Sequence, residues 1–391
     1  MLIETSTRKL RNDGIDALRG LSIISVILLH IYIRVPLDLT IIDQSISISI
    51  TNILFRSGYY GVIVFFVISG FLITTTSLKR WGSLQNISYS EFYQMRFARI
   101  MPCLISLLMI LTLLDRLNIS GFVIHTTSLS KTIFSALTFQ INWLEAKTGY
   151  LPGNWDILWS LSVEEAFYVF FPIYCILLRK QTLFILAMLG FILIGPFART
   201  WTSNDIWSDH SYLSCLDGIA IGCLAALISY QFKLNKIEFL CILLTGLFLF
   251  IFIFIFRKQA FEMGVSTRGL NVTIIEMGTG LMLIAMQEWY VKGNRVGSIW
   301  TVPLRWLGRN SYEIYLTHLF LVIAISKTLI YFQPTKLVIG VGYLMTLILS
   351  GILGQYIARY FSEPMNQLLR EITLGHSKAY YREQKATGNN L

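Results

Sequence analysis

The sequence is poor in charge. Lysine, arginine, aspartate and glutamate make up 14% of its 391 residues, against 54% hydrophobic residues. Ordinary globular domains carry about 25% charged residues. The imbalance excludes a disordered chain, a coiled coil and a soluble multidomain protein of this length. Cysteine is scarce as well. Cys103, Cys175, Cys215, Cys223 and Cys241 all lie in apolar segments and none forms a CxxC pair. Neither a disulfide scaffold nor a zinc site is implied, and no metal is expected. The chain also lacks a phosphate-cradling glycine loop, a dinucleotide fingerprint, an HExxH pair and a nucleophile elbow. It shows no internal repeat and no low-complexity stretch.

What is present is a series of long apolar runs, with a mean hydropathy of +0.61. A helix needs about 20 apolar residues to cross a bilayer. Runs near 15–35, 58–78, 100–117, 157–178, 182–198, 213–230, 238–256, 271–290, 312–332 and 337–358 meet that need. The fold class is therefore all-α, a polytopic transmembrane helical bundle of about ten spans. Segment 131–145 is apolar but short, and reads as re-entrant or interfacial.

A net charge of +10 raises the question of nucleic acid. The basic residues answer it, because they sit in short patches between apolar runs, as in cytoplasmic membrane loops. No nucleic-acid partner is expected. With ten spans and the N-terminus inside, the inner segments hold 20 of the 32 lysines and arginines. These include Arg8, Lys9 and Arg11, then Arg96 and Arg99, then Arg179 and Lys180. Arg295, Arg305 and Arg309 follow, and Arg370, Lys378, Arg382 and Lys385 close the series. Counting 131–145 as a span would move Arg179 and Lys180 outside, so both termini are expected in the cytoplasm. Arg257, Lys258 and Arg268 form an outer cluster that runs against this pattern.

The expected division is a cytoplasmic tail over 1–14, a transmembrane domain over 15–365 and a cytoplasmic tail over 366–391. The first apolar run carries no cleavage pattern and reads as a retained span. No appended soluble domain is expected.

Ionisable groups inside spans cost roughly 2.5–3.5 kcal/mol on insertion scales, so they are rare and informative. The first span carries Asp16, Arg19 and His30. Arg19 and His30 are eleven residues apart, which returns to within about 20° of one helix face and rises roughly 16 Å. The fourth span opens WDILWSLSVEEAFY and carries Glu164 and Glu165. Counted from the outer ends of their spans, His30 and the glutamates fall at similar depth. A carboxylate there would orient a histidine base. Neighbours on a helix point about 100° apart, so one glutamate is expected to face the site and the other to be structural, with Glu165 favoured. Arg96 and Arg99, three residues apart, share a helix face and with Arg19 suit a polyanion, because guanidinium binds phosphate through two hydrogen bonds.

The motifs at these residues resemble the acyltransferase-3 family of integral-membrane acyltransferases, which includes polysaccharide O-acetylases. DALRGLSIISVILLH carries Arg19 and His30, FFVISGFL spans 65–72, and Arg96, Arg99 and Pro102 form the RxxR-I-x-P element. WSLSVEEAFY at 159–168, LDGIAIGCLAA at 216–226, LGRNSYEIYLTH at 307–318 and FSEP at 361–364 follow in family order. The resemblance covers roughly residues 12 to 365. It implies transfer of an acyl group, usually acetyl from acetyl-CoA, to a hydroxyl of a carbohydrate. The acceptor would be a cell-surface polysaccharide, such as a lipopolysaccharide O-antigen, or a glycolipid precursor. His30, with Glu164 and Glu165, would be catalytic. Arg19, Arg96, Arg99 and His318 would hold the donor. The bacterial inner membrane, with its lipid, would be the setting, and a homo-oligomer stays open. Cys215 departs from the family, where many members carry arginine. Some relatives carry an extracytoplasmic esterase-like domain; without one, this chain would finish transfer alone or pass the acyl group on.

Blander readings stand beside these. His30 and His318 also suit interhelical packing, Arg19 suits a snorkelling pair with Asp16, and Arg96 and Arg99 suit plain topology determinants. Ser69 reads as a nucleophile or, more often for its type, as a small packing residue. Asp217 and Glu276 read as interhelical partners. Asn154, Trp155 and Asp156 are expected at the outer mouth, as acceptor contacts or belt residues. His125, His210 and His376 are assigned nothing. The rival class is a transporter or flippase using buried His, Glu and Arg for proton coupling or solute binding. A third is a structural anchor of a surface-polymer complex.

Overall fold

The computed structural model describes residues 11–36, 48–178, 180–293, 299–332 and 335–373. Arg8, Lys9, Arg179, Arg295, His376, Lys378, Arg382 and Lys385 lie outside these residues. Within them the chain is helical and contains no strand. The helices are α1 (Asp13–Arg34), α2 (Ile48–Phe55), α3 (Gly58–Trp81), α4 (Tyr89–Arg116), α5 (Leu129–Leu137) and α6 (Ile141–Thr148). Next come α7 (Leu158–Leu177), α8 (Gln181–Thr200), α9 (Asp205–His210), α10 (Tyr212–Gln231), α11 (Lys236–Ile255) and α12 (Arg257–Glu262). The series ends with α13 (Leu270–Val291), α14 (Val302–Arg309), α15 (Ser311–Phe332) and α16 (Lys336–Ile357).

Among the described residues ten helices are long and apolar enough to cross a membrane, at the ten places expected. The protein is a multi-pass membrane protein. Segment 131–145 falls into α5 and α6, of nine and eight residues, too short to cross. Alternation of the spans leaves one end of the bundle with the start of α1, the end of α3 and the start of α4. We call this the basic face and the other the far face.

Burial sorts the spans. In α8 only Phe184, Met188, Gly195 and Arg199 are buried, and in α11 only Gly246 and Ile253, so these helices face lipid. In α3, α10 and α13 most are buried. Small residues bring α3 and α10 together: a Cβ on Gly70 would sit 2.0 Å from the Ile219 carbonyl oxygen, and one on Gly222 2.0 Å from that of Val67. Close backbone approach of this kind replaces the hydrophobic drive that lipid does not supply.

Two features position the site. α14 is a short amphipathic helix on the basic face, clamped to the start of α1. Arg305 pairs with Asp13 at 2.8 Å, and Arg309 with Asp13 at 3.2 Å and Asp16 at 3.1 Å. α4 begins eleven residues before the expected span, because the Ser88 side chain accepts from the Glu91 amide and caps an extension beyond the apolar run. Arg96 and Arg99 therefore stand on the helix itself. At its other end, α16 passes through a π-turn at Ala358–Ser362 and continues as helix to Thr373, past the expected tail boundary at 366.

Candidate active site

A cavity of about 410 Å³ sits among α1, α3, α4, α7, α15 and the helix after α16. Arg11, Arg19, Arg96, Arg99, Arg309 and Arg370 all line it. The three arginines expected from sequence are thus brought together, and three more join them.

Arg19 does not pair with Asp16. Its guanidinium donates to Ser311 Oγ at 2.8 and 3.1 Å, because Asp16 is taken by Arg309 and by Arg11 at 3.6 Å. Arg99 pairs with buried Glu313 at 3.1 Å, and Ser362 Oγ donates to the same carboxylate at 2.6 Å. Arg96 has no carboxylate within 4 Å among the described residues. Its guanidinium lies over the Tyr168 ring, 3.9 Å from the centroid.

The two glutamates both line this cavity. The expected division into one inward and one structural residue is corrected, since the open face of α7 is wide enough to include neighbours about 100° apart. Glu164 Oε1 accepts from Ser69 Oγ and from the Tyr168 hydroxyl, each at 2.5 Å. Ser69 and Tyr168 also touch each other. Buried Glu165 keeps Oε1 without a partner.

His30 meets neither glutamate, which corrects the expected pairing. Its partner is His318. His30 Nδ1 is 2.9 Å from the Val26 carbonyl oxygen and 3.1 Å from His318 Nε2. His318 Nδ1 is 2.8 Å from the Tyr315 carbonyl oxygen. Carbonyl oxygens only accept, so both histidines carry their proton on Nδ1. His318 Nε2 then offers a lone pair to the His30 Nδ1–H. The lone pair on His30 Nε2 is left without a protein partner among the described residues.

The histidine pair does not line the cavity. Tyr315 stands between them. It lines the cavity, its ring centroid is 5.9 Å from that of His318, and its hydroxyl is 2.6 Å from Ser160 Oγ. His318 therefore touches His30 rather than the cavity, against the expectation of a donor contact.

Toward the far face the structure departs further from expectation. Asn154 and Trp155 are fully buried and tie to the carbonyl oxygens of Leu316 and Phe122, so they brace the fold instead of facing outward. His210, assigned nothing from sequence, stacks flat on Trp159 at 3.8 Å. Its Nδ1 is 3.7 Å from buried Glu145. Burial, with Asp156 beside it, pushes the Glu145 carboxyl well above the usual carboxylate range. Asp217 is an interhelical partner, of Arg199 at 2.7 Å.

Residues 12–355 match the sequence family described as an acyltransferase domain, acyltransferase-3. The chain belongs to that family. Among its relatives is the O-acetyltransferase OatA of Staphylococcus aureus, 24% identical over 381 residues, covering 90% of this chain and 57% of the relative. Another is a Bacillus subtilis protein provisionally named peptidoglycan O-acetyltransferase YrhL, 24% identical over 347 residues, covering 78% of this chain and 48% of that one. This acyltransferase-3 chain thus spans about half the length of the curated relatives it matches. No solved structure matches it.

The residues missed from sequence are Arg11, Arg309, Arg370, Glu313, Tyr168 and Tyr315. Four of these lie inside quoted motifs, Tyr168 in WSLSVEEAFY and Arg309, Glu313 and Tyr315 in LGRNSYEIYLTH, where their polarity beside apolar runs was the available signal.

Proposed function

We propose that the protein transfers an acetyl group from acetyl-CoA to a hydroxyl of a carbohydrate, a cell-surface polysaccharide or its lipid-linked precursor. The observation that carries the reading is the cavity itself. It gathers six arginines together with Tyr315, which touches a histidine pair in which His30 Nε2 has no protein partner among the described residues. The names of the relatives supply the chemistry, O-acetylation, and one of them names peptidoglycan.

In this reading the basic face is cytoplasmic. Arg19, Arg96 and Arg99 hold the phosphates of the donor, and the pantetheine arm extends past Tyr315. His30 Nε2 takes the proton of the acceptor hydroxyl. The oxygen forms a bond to the acetyl carbon as the carbon–sulfur bond breaks, and the imidazolium returns the proton to the leaving thiolate. His318 positions His30. Glu164 holds Tyr168 beneath Arg96, and Glu165, whose Oε1 is unpartnered, lines the same cavity.

One observation favours a second chemistry. Ser69 Oγ already donates to a carboxylate, the arrangement needed for an acetyl-serine intermediate. Binding of acetyl-CoA to the purified protein in nanodiscs tests the donor. Arg19→Ala and Arg96→Ala should each weaken it about tenfold or more, the scale of one charge-assisted bond. Unchanged affinity in both would remove the donor from this cavity.

A further inference from the structure

The arginines of the cavity are not equivalent. Arg11, Arg99 and Arg309 each have a carboxylate within 4 Å: Asp16, Glu313, and Asp13 with Asp16. Arg19, Arg96 and Arg370 have none among the described residues. Arg19 is bonded to Ser311 and Arg96 is stacked on Tyr168. Arg370 has neither kind of support, and its Nε is buried without a partner. Asn366, four residues earlier, lines the same cavity with its Oδ1 equally buried and unpartnered. Unsatisfied polar atoms of this kind are costly unless something else meets them.

The π-turn explains how they face inward. A π-turn places one extra residue in the helix, and each residue rotates the following face by about 100°. The turn at Ala358–Ser362 is held by buried Ser362, whose hydroxyl donates to Glu313. Everything after it is re-aimed, and Asn366 and Arg370, at i and i+4, share one face. Ser362 lies level with the Arg99–Glu313 pair. Arg370 follows it by eight residues, roughly 12 Å farther along the axis toward the basic face. It therefore stands at the mouth of the cavity, with Arg96 and Arg19 deeper.

We infer that Arg370 is the residue that reads the outermost phosphate of the donor, the 3′-phosphate of the coenzyme A nucleotide. The inference rests on the acetyl-CoA reading above. In a donor threaded thioester-first, the diphosphate lies in the middle and the 3′-phosphate lies last. Three arginines free of carboxylates fit a donor with phosphates at two depths. They exceed what a single phosphodiester, as on a carrier-protein pantetheine, would engage. Arg370 also lies beyond residues 12–355, the stretch matched to the family, and beyond the last motif, FSEP at 361–364.

The test compares binding of acetyl-CoA and 3′-dephospho-acetyl-CoA to the full chain in nanodiscs, as wild type and as Arg370→Ala. Wild type should prefer acetyl-CoA by about tenfold or more, one charge-assisted bond. Arg370→Ala should lose that preference while binding the dephospho form as wild type does, which also reports an intact fold. Arg370→Lys should keep part of the preference. Equal weakening toward both donors, no weakening toward either, or a wild type that does not distinguish them would overturn the assignment. A wild type that binds neither donor would instead bring down the acetyl-CoA reading and this inference with it.

Discussion

His318 presents its Nε2 lone pair to the Nδ1–H of His30, 3.1 Å away. The Val26 carbonyl fixes the proton on His30 Nδ1, His318 meets that same N–H and holds the ring in place, and Nε2 is the nitrogen left to act as a base. His318 is thus a positioning residue. His318→Ala should lower transfer about tenfold, near the roughly 1–1.5 kcal/mol of one net hydrogen bond. His318→Gln, whose amide oxygen can accept in place of Nε2, should recover part of it. A silent His318→Ala, or one that Gln does not relieve, would remove this role. Acetyl transfer rates on matched amounts of inserted protein make the comparison.

Tyr315 lines the cavity and touches His318, and its hydroxyl contact with Ser160 at 2.6 Å latches the ring in that place. Tyr315→Phe keeps the ring and removes the latch. Water should then reach the thioester more freely, and acetyl-CoA hydrolysis without acceptor should rise severalfold. Thiol release followed with a colorimetric reagent reads this directly. Hydrolysis equal to wild type would mean that Tyr315 is no barrier.

Ser69 separates direct transfer from an acetyl-enzyme. Direct transfer predicts that Ser69→Ala keeps activity within a few-fold, because Tyr168 still holds Glu164. Loss of about 10²-fold or more, the scale of a missing catalytic group, with an acetyl adduct on Ser69 in wild-type peptides, would establish the covalent route.

The spans were legible because lipid demands about 20 apolar residues in each crossing, and hydropathy reads that directly. α14 was not, because eight residues of mixed polarity between two spans resemble an ordinary loop until Asp13 and Asp16 are seen to hold Arg305 and Arg309. The arginines at 19, 96 and 99 could be grouped by sign and spacing. The partner of His30 could not, since it lies 288 residues away and depth along separate spans does not fix rotation. Counting depth alone put a glutamate beside His30. Helix rotation instead turns Glu164 toward Ser69 and Tyr168. Arg370 was grouped only with the basic tail, because the π-turn that re-aims it leaves no periodic mark.

Glu145 supplies a pH dependence. Its folded carboxyl titrates well above the roughly 4.3 of an unfolded glutamate. The unfolded chain therefore loses this proton first as pH rises. The stabilisation is fully present below about pH 4 and declines as pH climbs toward the raised folded value, by about 1.4 kcal/mol per unit. Glu145→Gln mimics the protonated form, since its amide can still accept from the Leu151 N–H. Its melting temperature should fall less than that of wild type between pH 5 and pH 8. Parallel curves for the two proteins would refute the assignment.

The most direct test of the whole account is mass spectrometry of the surface glycans of a host lacking the gene, complemented with wild type or with His30→Ala at equal membrane levels. The account predicts that one acetyl mass per modified residue vanishes in the deletion and returns with wild type. With His30→Ala it should stay about 10²–10⁴-fold below wild-type rates, the contribution of a general base. Full acetylation by His30→Ala would contradict the mechanism, and glycans unchanged by the deletion would contradict the carbohydrate acceptor.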